Sequence, residues 1–81
     1  MDEATFQREM AVNRSGYKAL RERIRQQYAG QYVALAGGDV IAVGPTYDST
    51  KEAVQELDPI PEYYLVFPAD QEPDFEPFYD Y

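Results

Sequence analysis

Two short apolar segments, residues 31–36 and 40–44, flank the dipeptide Gly37-Gly38. Both segments are rich in β-branched and aromatic residues, which favour strands. Paired glycines readily adopt the positive φ angles that a two-residue hairpin turn requires. The sequence therefore predicts a β-hairpin over residues 31–44.

The length of the hairpin turn decides which side chains share a face, and two registers remain open. A two-residue turn pairs Leu35 with Val40 and Val33 with Ala42. A turn longer by one residue gathers large side chains on one face, namely Val33, Leu35, Ile41 and Val43. Its other face then carries Tyr32, Ala34, Ala36, Val40 and Ala42. In both registers the two faces of the hairpin are apolar.

Segments with apolar residues at helical spacing lie both before and after the hairpin. Residues 4–28 place an apolar stripe along one side of a helix, at Phe6, Met10, Tyr17, Leu20, Ile24 and Tyr28. Residues 13–16 (NRSG) interrupt this stripe, and we expect a break or kink of the helix there. A shorter helix is predicted over residues 49–57, opened by a capping box of Ser49 and Glu52.

These elements predict one α+β domain over residues 1–69, with a third strand over residues 63–67 and an acidic tail over residues 70–81. The order α–β–β–α–β favours a three-stranded antiparallel sheet in the strand order 3-1-2, with 1-2-3 as the alternative. A right-handed crossover lays the second helix on the sheet, and we expect both helices on one face, as a two-layer sandwich. A second copy of the chain, the tail or another protein would then cover the second apolar face.

Side chains suited to catalysis or metal binding are scarce. The chain has no His and no Cys, which excludes Ser-His-Asp and Cys-His arrangements and the usual zinc sites. The acidic run that starts at Asp70 is spaced like a calcium loop, but Phe75 stands where that loop needs glycine and Tyr81 where it needs glutamate. We therefore expect no enzymatic activity, no cofactor and no metal site.

The net charge of −8 is unevenly distributed along the chain. Residues 1–25 carry six basic and four acidic side chains, whereas residues 26–81 carry one basic and eleven acidic ones. Nucleic-acid binding requires a concentrated basic surface, so we expect no nucleic-acid partner. The apolar segments are too short to span a bilayer, and the first residues do not resemble a signal peptide. We expect a cytoplasmic protein that binds no membrane.

The tail combines acidic and aromatic side chains, and three interpretations of it remain open. It is a flexible solubilising segment, or it pairs with a basic row on the first helix, or it binds a partner. That basic row is Arg14, Lys18, Arg21 and Arg25. As a binding motif, the tail inserts its aromatic rings into a partner's pocket while its acids attract a basic surface. The candidate partner-binding residues are Tyr32 on the sheet face and Asp74, Phe75, Glu76, Phe78 and Tyr79 in the tail.

The segment from Tyr28 to Pro68 resembles a family of short bacterial and archaeal proteins known only as a domain of unknown function. The likeness rests on the hairpin signature Tyr28-Ala29-Gly30-Gln31-Tyr32-Val33-Ala34, on residues 39–44 (DVIAVG), on Ala53 and Val54, and on residues 64–66 (YLV). This resemblance implies a helix–hairpin–helix–strand domain. It implies no catalytic or ligand-binding residue, and the acidic tail departs from the family's pattern.

The sequence therefore favours a non-enzymatic protein-interaction or regulatory module that acts through its apolar sheet face and its acidic aromatic tail. One alternative is a nucleic-acid mimic, whose carboxylates occupy a basic groove of a DNA- or RNA-handling enzyme and whose binding depends steeply on salt. A second alternative is a purely structural homodimer.

Overall fold

The computed structural model describes residues 2–73 of the chain. Within that range it contains α1 (Glu3–Gln27), β1 (Tyr32–Ala36), β2 (Asp39–Gly44), α2 (Tyr47–Gln55) and β3 (Leu65–Pro68). The strands form one antiparallel sheet in the order β2-β1-β3. The predicted α+β class and the predicted strand order 3-1-2 are confirmed. Residues 74–81, which hold most of the predicted tail, lie outside the described residues.

Helix α1 lays the predicted apolar stripe on the sheet. Of the six residues of this stripe, three are buried: Met10, Tyr17 and Ile24. The other three are half-buried: Phe6, Leu20 and Tyr28. The ring of Tyr17 packs edge-on against Phe67 of β3, with 5.7 Å between the ring centroids. At the start of the helix, Oδ1 of Asp2 accepts a hydrogen bond of 2.7 Å from the N–H of Thr5. This bond satisfies a free helix donor and lowers the pKa of the Asp2 carboxyl.

The prediction of a break or kink at residues 13–16 is wrong, because α1 runs without interruption from Glu3 to Gln27. The reason is a tertiary contact. Asn13 is fully buried, and its Oδ1 accepts a hydrogen bond of 2.7 Å from the N–H of Gly38 in the hairpin turn. Gly16 lies so close to the same turn that an added Cβ would overlap the carbonyl oxygen of Gly38. Two of the residues that suggested a break, Asn13 and Gly16, are therefore part of the surface on which the turn packs.

The hairpin uses both of the registers that the sequence allows, one on each side of a β-bulge. Its turn is the predicted dipeptide Gly37-Gly38, with φ angles of 60° and 80°. The pairs next to the turn are Ala36–Asp39 and Leu35–Val40, and the pairs beyond the bulge are Ala34–Ala42, Val33–Val43 and Tyr32–Gly44. Ile41 is the extra residue on β2. The bulge thus keeps large side chains on one face and small ones on the other.

The face with the large side chains holds the main core, beneath α1. Val33 and Leu35 of β1 are fully buried there. They cluster with Tyr17 and Ile24 of α1 and with Phe67 of β3. Burial of these large apolar side chains supplies much of the stabilisation of the domain, at roughly 25 cal/mol per Å² of apolar surface.

The placement of the second helix differs from the prediction that both helices share one face. Side chains alternate along a strand, so Ala34 points away from the α1 face, and yet it is fully buried. Helix α2 covers it. Gly44 on that face lies against α2, where an added Cβ would stand 2.7 Å from Oγ1 of Thr50, and Val54 of α2 is fully buried. In the described part of the chain α1 and α2 do not contact each other, as expected for helices on opposite faces.

The consequence is a three-layer arrangement, with α1, the sheet and α2 stacked in that order. The uncovered apolar face that the sequence led us to expect is covered by α2. Small residues make this possible, because the side chains of Ala34 and Ala42 and the bare backbone of Gly44 let a helix approach the sheet closely.

Helix α2 also begins earlier than predicted, because its cap is a different residue. Oγ1 of Thr46 accepts a hydrogen bond of 3.0 Å from the N–H of Ser49, and Oγ of Ser49 accepts one of 3.2 Å from the N–H of Thr46. This reciprocal pair is a capping box that starts at Thr46 and closes at Ser49, in place of the predicted box of Ser49 and Glu52.

Replacing Gly16 with Ala should destabilise the protein by about 1–3 kcal/mol, as overpacking does in a close-packed interface. In an exposed helix the same change stabilises the protein by about 1 kcal/mol, so the contact with Gly38 should reverse the sign of the effect on stability. Urea unfolding followed by circular dichroism measures the difference. Ser15→Ala, at an exposed position in the same turn of α1, is the control and should stay within about 0.5 kcal/mol of the parent. A Gly16→Ala protein as stable as the parent would contradict the contact.

Replacing Ala34 with Leu tests whether α2 covers the second face. The larger side chain has no space beneath α2, and the free energy of unfolding should fall by about 1–3 kcal/mol. Ala36 lies on the same face but is half-buried at the end of β1. The Ala36→Leu variant should therefore lower the free energy of unfolding clearly less. If the two variants unfold at the same urea concentration as the parent, the face is open and the three-layer arrangement is wrong.

Candidate binding cleft

A cleft of about 450 Å³ lies where the hairpin turn meets the start of α1 and the segment before β3. We call it the hairpin-end cleft. Its lining residues come from three separate parts of the chain, and they are Thr5, Glu9, Ala36, Gly37, Pro61, Glu62 and Tyr63. The cleft is open to solvent, and α1 contributes Thr5 and Glu9 to its wall.

Two contacts hold the walls of this cleft in place. The hydrogen bond from Gly38 to Asn13 fixes the hairpin turn, and with it Gly37. The ring of Phe6 meets the ring of Tyr63 edge-on, with centroids 5.1 Å apart and planes at 82°. This aromatic pair ties the first turns of α1 to the segment before β3. The cleft is therefore formed by residues that the fold already immobilises.

Two carboxylates, those of Glu9 and Glu62, line the hairpin-end cleft. Glu9 is half-buried and Glu62 is exposed. Among residues 2–73 neither of them forms an ion pair with a basic side chain. Beside Thr5 and Gly37, the wall also contains Ala36, Pro61 and Tyr63. The cleft thus combines two carboxylates with apolar and aromatic residues.

Burial raises the pKa of the Tyr63 hydroxyl above its ordinary value of 10.0, because the partly buried site disfavours the phenolate. Tyr63 therefore stays neutral throughout the physiological range, and the wall of the cleft carries an uncharged aromatic residue there. In the range that the structure covers, no three Asp or Glu side chains converge in a way that could hold a metal ion.

An exposed apolar loop adjoins the cleft. Ile60, which precedes Pro61 in the chain, is 52% exposed, and Leu57 is 37% exposed. Exposed side chains of this size are common singly, but these two lie in one short loop. The loop leads directly into the wall of the cleft at Pro61, Glu62 and Tyr63.

The residues predicted to bind a partner are not at this cleft. Tyr32 is half-buried at the other end of β1, where its ring meets that of Tyr47 edge-on with 6.4 Å between centroids. The remaining predicted residues, Asp74, Phe75, Glu76, Phe78 and Tyr79, lie outside the described residues. Sequence reasoning missed Glu9 and Glu62 because each has the appearance of an ordinary surface acid. Only the fold brings them together.

The free edges of the sheet offer little to a pairing strand. On β2, the carboxylate of Asp39 accepts a hydrogen bond of 2.8 Å from the N–H of Val40, and the bulge at Ile41 interrupts the ladder. The other edge strand, β3, has only four residues and ends at Pro68. Both arrangements are ways in which natural sheets discourage edge-to-edge pairing. Neither helix in the described residues is long and apolar enough to cross a membrane.

The fold and the cleft define a small α+β domain with a helix on each sheet face and an acidic site at one end. A family of unknown function (DUF5678) matches residues 23–66, which is more than half of the chain. The chain therefore belongs to this family, which confirms the resemblance to a domain of unknown function. The matched segment contains Pro61, Glu62 and Tyr63 of the cleft, whereas Thr5 and Glu9 precede it. No curated protein and no solved structure matches the chain.

The raised pKa of Tyr63 predicts a loss of stability at alkaline pH. The folded protein holds this proton more tightly than the unfolded chain does, so the contribution is complete below pH 10.0 and is lost as the pH rises through the folded-state pKa. Urea unfolding at a series of pH values should show a smaller alkaline loss for Tyr63→Phe than for the parent. Tyr47→Phe, which alters a 47% exposed ring, is the control. Equal losses in the parent and in Tyr63→Phe would contradict the burial of this hydroxyl.

Proposed function

We propose that the protein is a non-enzymatic interaction module that regulates a partner protein by binding it. The contact surface is the hairpin-end cleft together with the apolar loop at Leu57 and Ile60. This surface replaces the open sheet face inferred from the sequence, because α1 and α2 cover both faces. The partner is a protein with a basic segment.

One observation carries this proposal: Glu9 and Glu62 line the same cleft, and the loop that leads into its wall at Pro61 exposes the apolar side chains of Leu57 and Ile60. Protein interfaces combine apolar contacts with a limited number of hydrogen-bonding and charged groups.

The charge of the whole chain supports a basic partner. A net charge of −8 on 81 residues produces a field that attracts a positively charged protein and accelerates its association. The tail adds to that field through Asp74, Glu76 and Asp80. We further propose that Phe75, Phe78 and Tyr79 in the tail make a second contact with the same partner, since aromatic anchors flanked by acids are typical of short binding motifs.

Affinity capture from a cell lysate, followed by quantitative mass spectrometry, tests the proposal with four baits. These are the full chain, the chain truncated after Pro73, Ile60→Asp and Tyr47→Asp. Ile60→Asp places a charge on the exposed apolar loop, whereas Tyr47→Asp changes an exposed aromatic side chain at the opposite end of the sheet. We expect a basic protein whose recovery falls about tenfold with Ile60→Asp, as at an interface hot spot, and is unchanged with Tyr47→Asp.

The truncated bait separates the contribution of the tail from that of the cleft. Partial recovery of the same protein indicates two contacts, and unchanged recovery removes the tail from the proposal. Equal recovery by the full chain and Ile60→Asp would contradict the proposed surface. A captured nucleic-acid-handling enzyme that is released by moderate salt from every bait would favour the mimic instead.

A further inference from the structure

We propose that the hairpin-end cleft receives an arginine side chain from an extended basic segment of the partner, held between the carboxylates of Glu9 and Glu62. This inference rests on the proposed function and specifies its ligand. It concerns one side chain and one site, so it can fail while the interaction surface itself stands.

The position of the two carboxylates favours a single cationic group as the occupant. Glu9 projects from α1 and Glu62 from the segment before β3, and both line the same cleft. A cationic group bound in this cleft can form charge-assisted hydrogen bonds with both carboxylates. The basic side chains in the described part of the chain do not serve this purpose, since none forms an ion pair with Glu9 or Glu62.

The walls of the cleft suit the rest of an arginine side chain. Ala36 and Pro61 offer apolar surface for its methylene groups, which bury readily while the charged end stays solvated. A cleft of about 450 Å³ is large enough for a long side chain with its flanking backbone. It lies at an open end of the molecule, so an extended segment reaches it without displacing a strand or a helix.

The aromatic wall favours arginine over lysine. Tyr63 lines the cleft, and its ring packs against that of Phe6 with an angle of 82° between the ring planes. A planar guanidinium stacks on an aromatic face and forms paired hydrogen bonds with carboxylates at the same time. The ammonium group of lysine is a compact, strongly hydrated point charge and gains less from both contacts.

Amide-resolved NMR titration of the full chain tests this inference with three peptides. Each peptide has the sequence Gly-Leu-X-Leu-Gly with blocked ends, where X is arginine, lysine or citrulline, the neutral isostere of arginine. We expect the arginine peptide to shift the amides of Gly37, Glu62 and Tyr63 most. The citrulline peptide should bind about tenfold more weakly, because charge-assisted hydrogen bonds to two carboxylates are lost. The affinity of the lysine peptide should lie between those of the arginine and citrulline peptides.

Glu9→Gln and Glu62→Gln keep the size of each side chain and remove its charge. Each should weaken the binding of the arginine peptide by about three- to tenfold. Glu52→Gln is the matched control, since Glu52 lies on the exposed surface of α2 beside Lys51, and it should leave the affinity unchanged. The parent-like amide spectrum of each variant verifies its fold.

Two results would overturn the inference. Equal affinity for the arginine and citrulline peptides at the cleft would mean that it binds an apolar segment, and the proposed interaction surface would stand without the arginine. Shifts spread evenly over the acidic surface, and insensitive to both glutamine variants, would mean general charge attraction. Failure of the proposed function is a separate result, read from the capture experiment with Ile60→Asp.

Discussion

The contact between α1 and the hairpin turn is the interaction on which the rest of the structure depends. Asn13 binds the N–H of Gly38, and Gly16 leaves no room between the helix and the turn. Together they fix where α1 crosses the sheet, which places its apolar stripe over Val33 and Leu35. Asn13 is fully buried and the bond is partly buried, so loss of the bond would leave Oδ1 of Asn13 unsatisfied in the interior. The same contact immobilises Gly37 at the wall of the hairpin-end cleft, and the core and the candidate site therefore share one support.

The features that the sequence predicts correctly are those with a local cause. Gly37-Gly38 requires a turn, and the strand-forming residues on either side require a hairpin. The apolar stripe of α1 follows from a helical repeat, and its members Met10, Tyr17 and Ile24 are all buried. Of the two strand orders that the sequence leaves open, the favoured one is observed: α2 connects the parallel strands β2 and β3, and β1 lies between them, antiparallel to both. In each case a short stretch of chain has one low-energy arrangement, whatever surrounds it.

The features that it predicts incorrectly depend on contacts between distant segments. The handedness rule concerns the crossover through α2 and does not specify the side on which α1 lies. The deciding property is side-chain size: Ala34 and Ala42 admit a close helix, whereas Val33 and Leu35 demand the larger aromatic and aliphatic side chains of α1. One of the two simple registers already groups Ala34 with Ala42, but each register describes only part of the hairpin, because the bulge at Ile41 changes the pairing between them. The cleft was unpredictable for the same reason, since its two acids have no local pattern.

Helices α1 and α2 cover the two faces of the sheet. In a domain of this size, neither face is then available for binding a partner. The sheet edges are blunted by Asp39, the bulge and Pro68, so the ends of the sheet and its loops remain for binding, as in many small domains. A cleft that holds one side chain supplies only modest affinity by itself, because an exposed charge pair contributes about 1 kcal/mol or less. Under the proposed function, recognition by this surface is therefore shared: the acids of the cleft select a cationic side chain, and the apolar loop around Ile60 binds the residues that flank it. Such a division makes specificity depend on the spacing of basic and apolar residues in the partner, which total charge alone cannot provide.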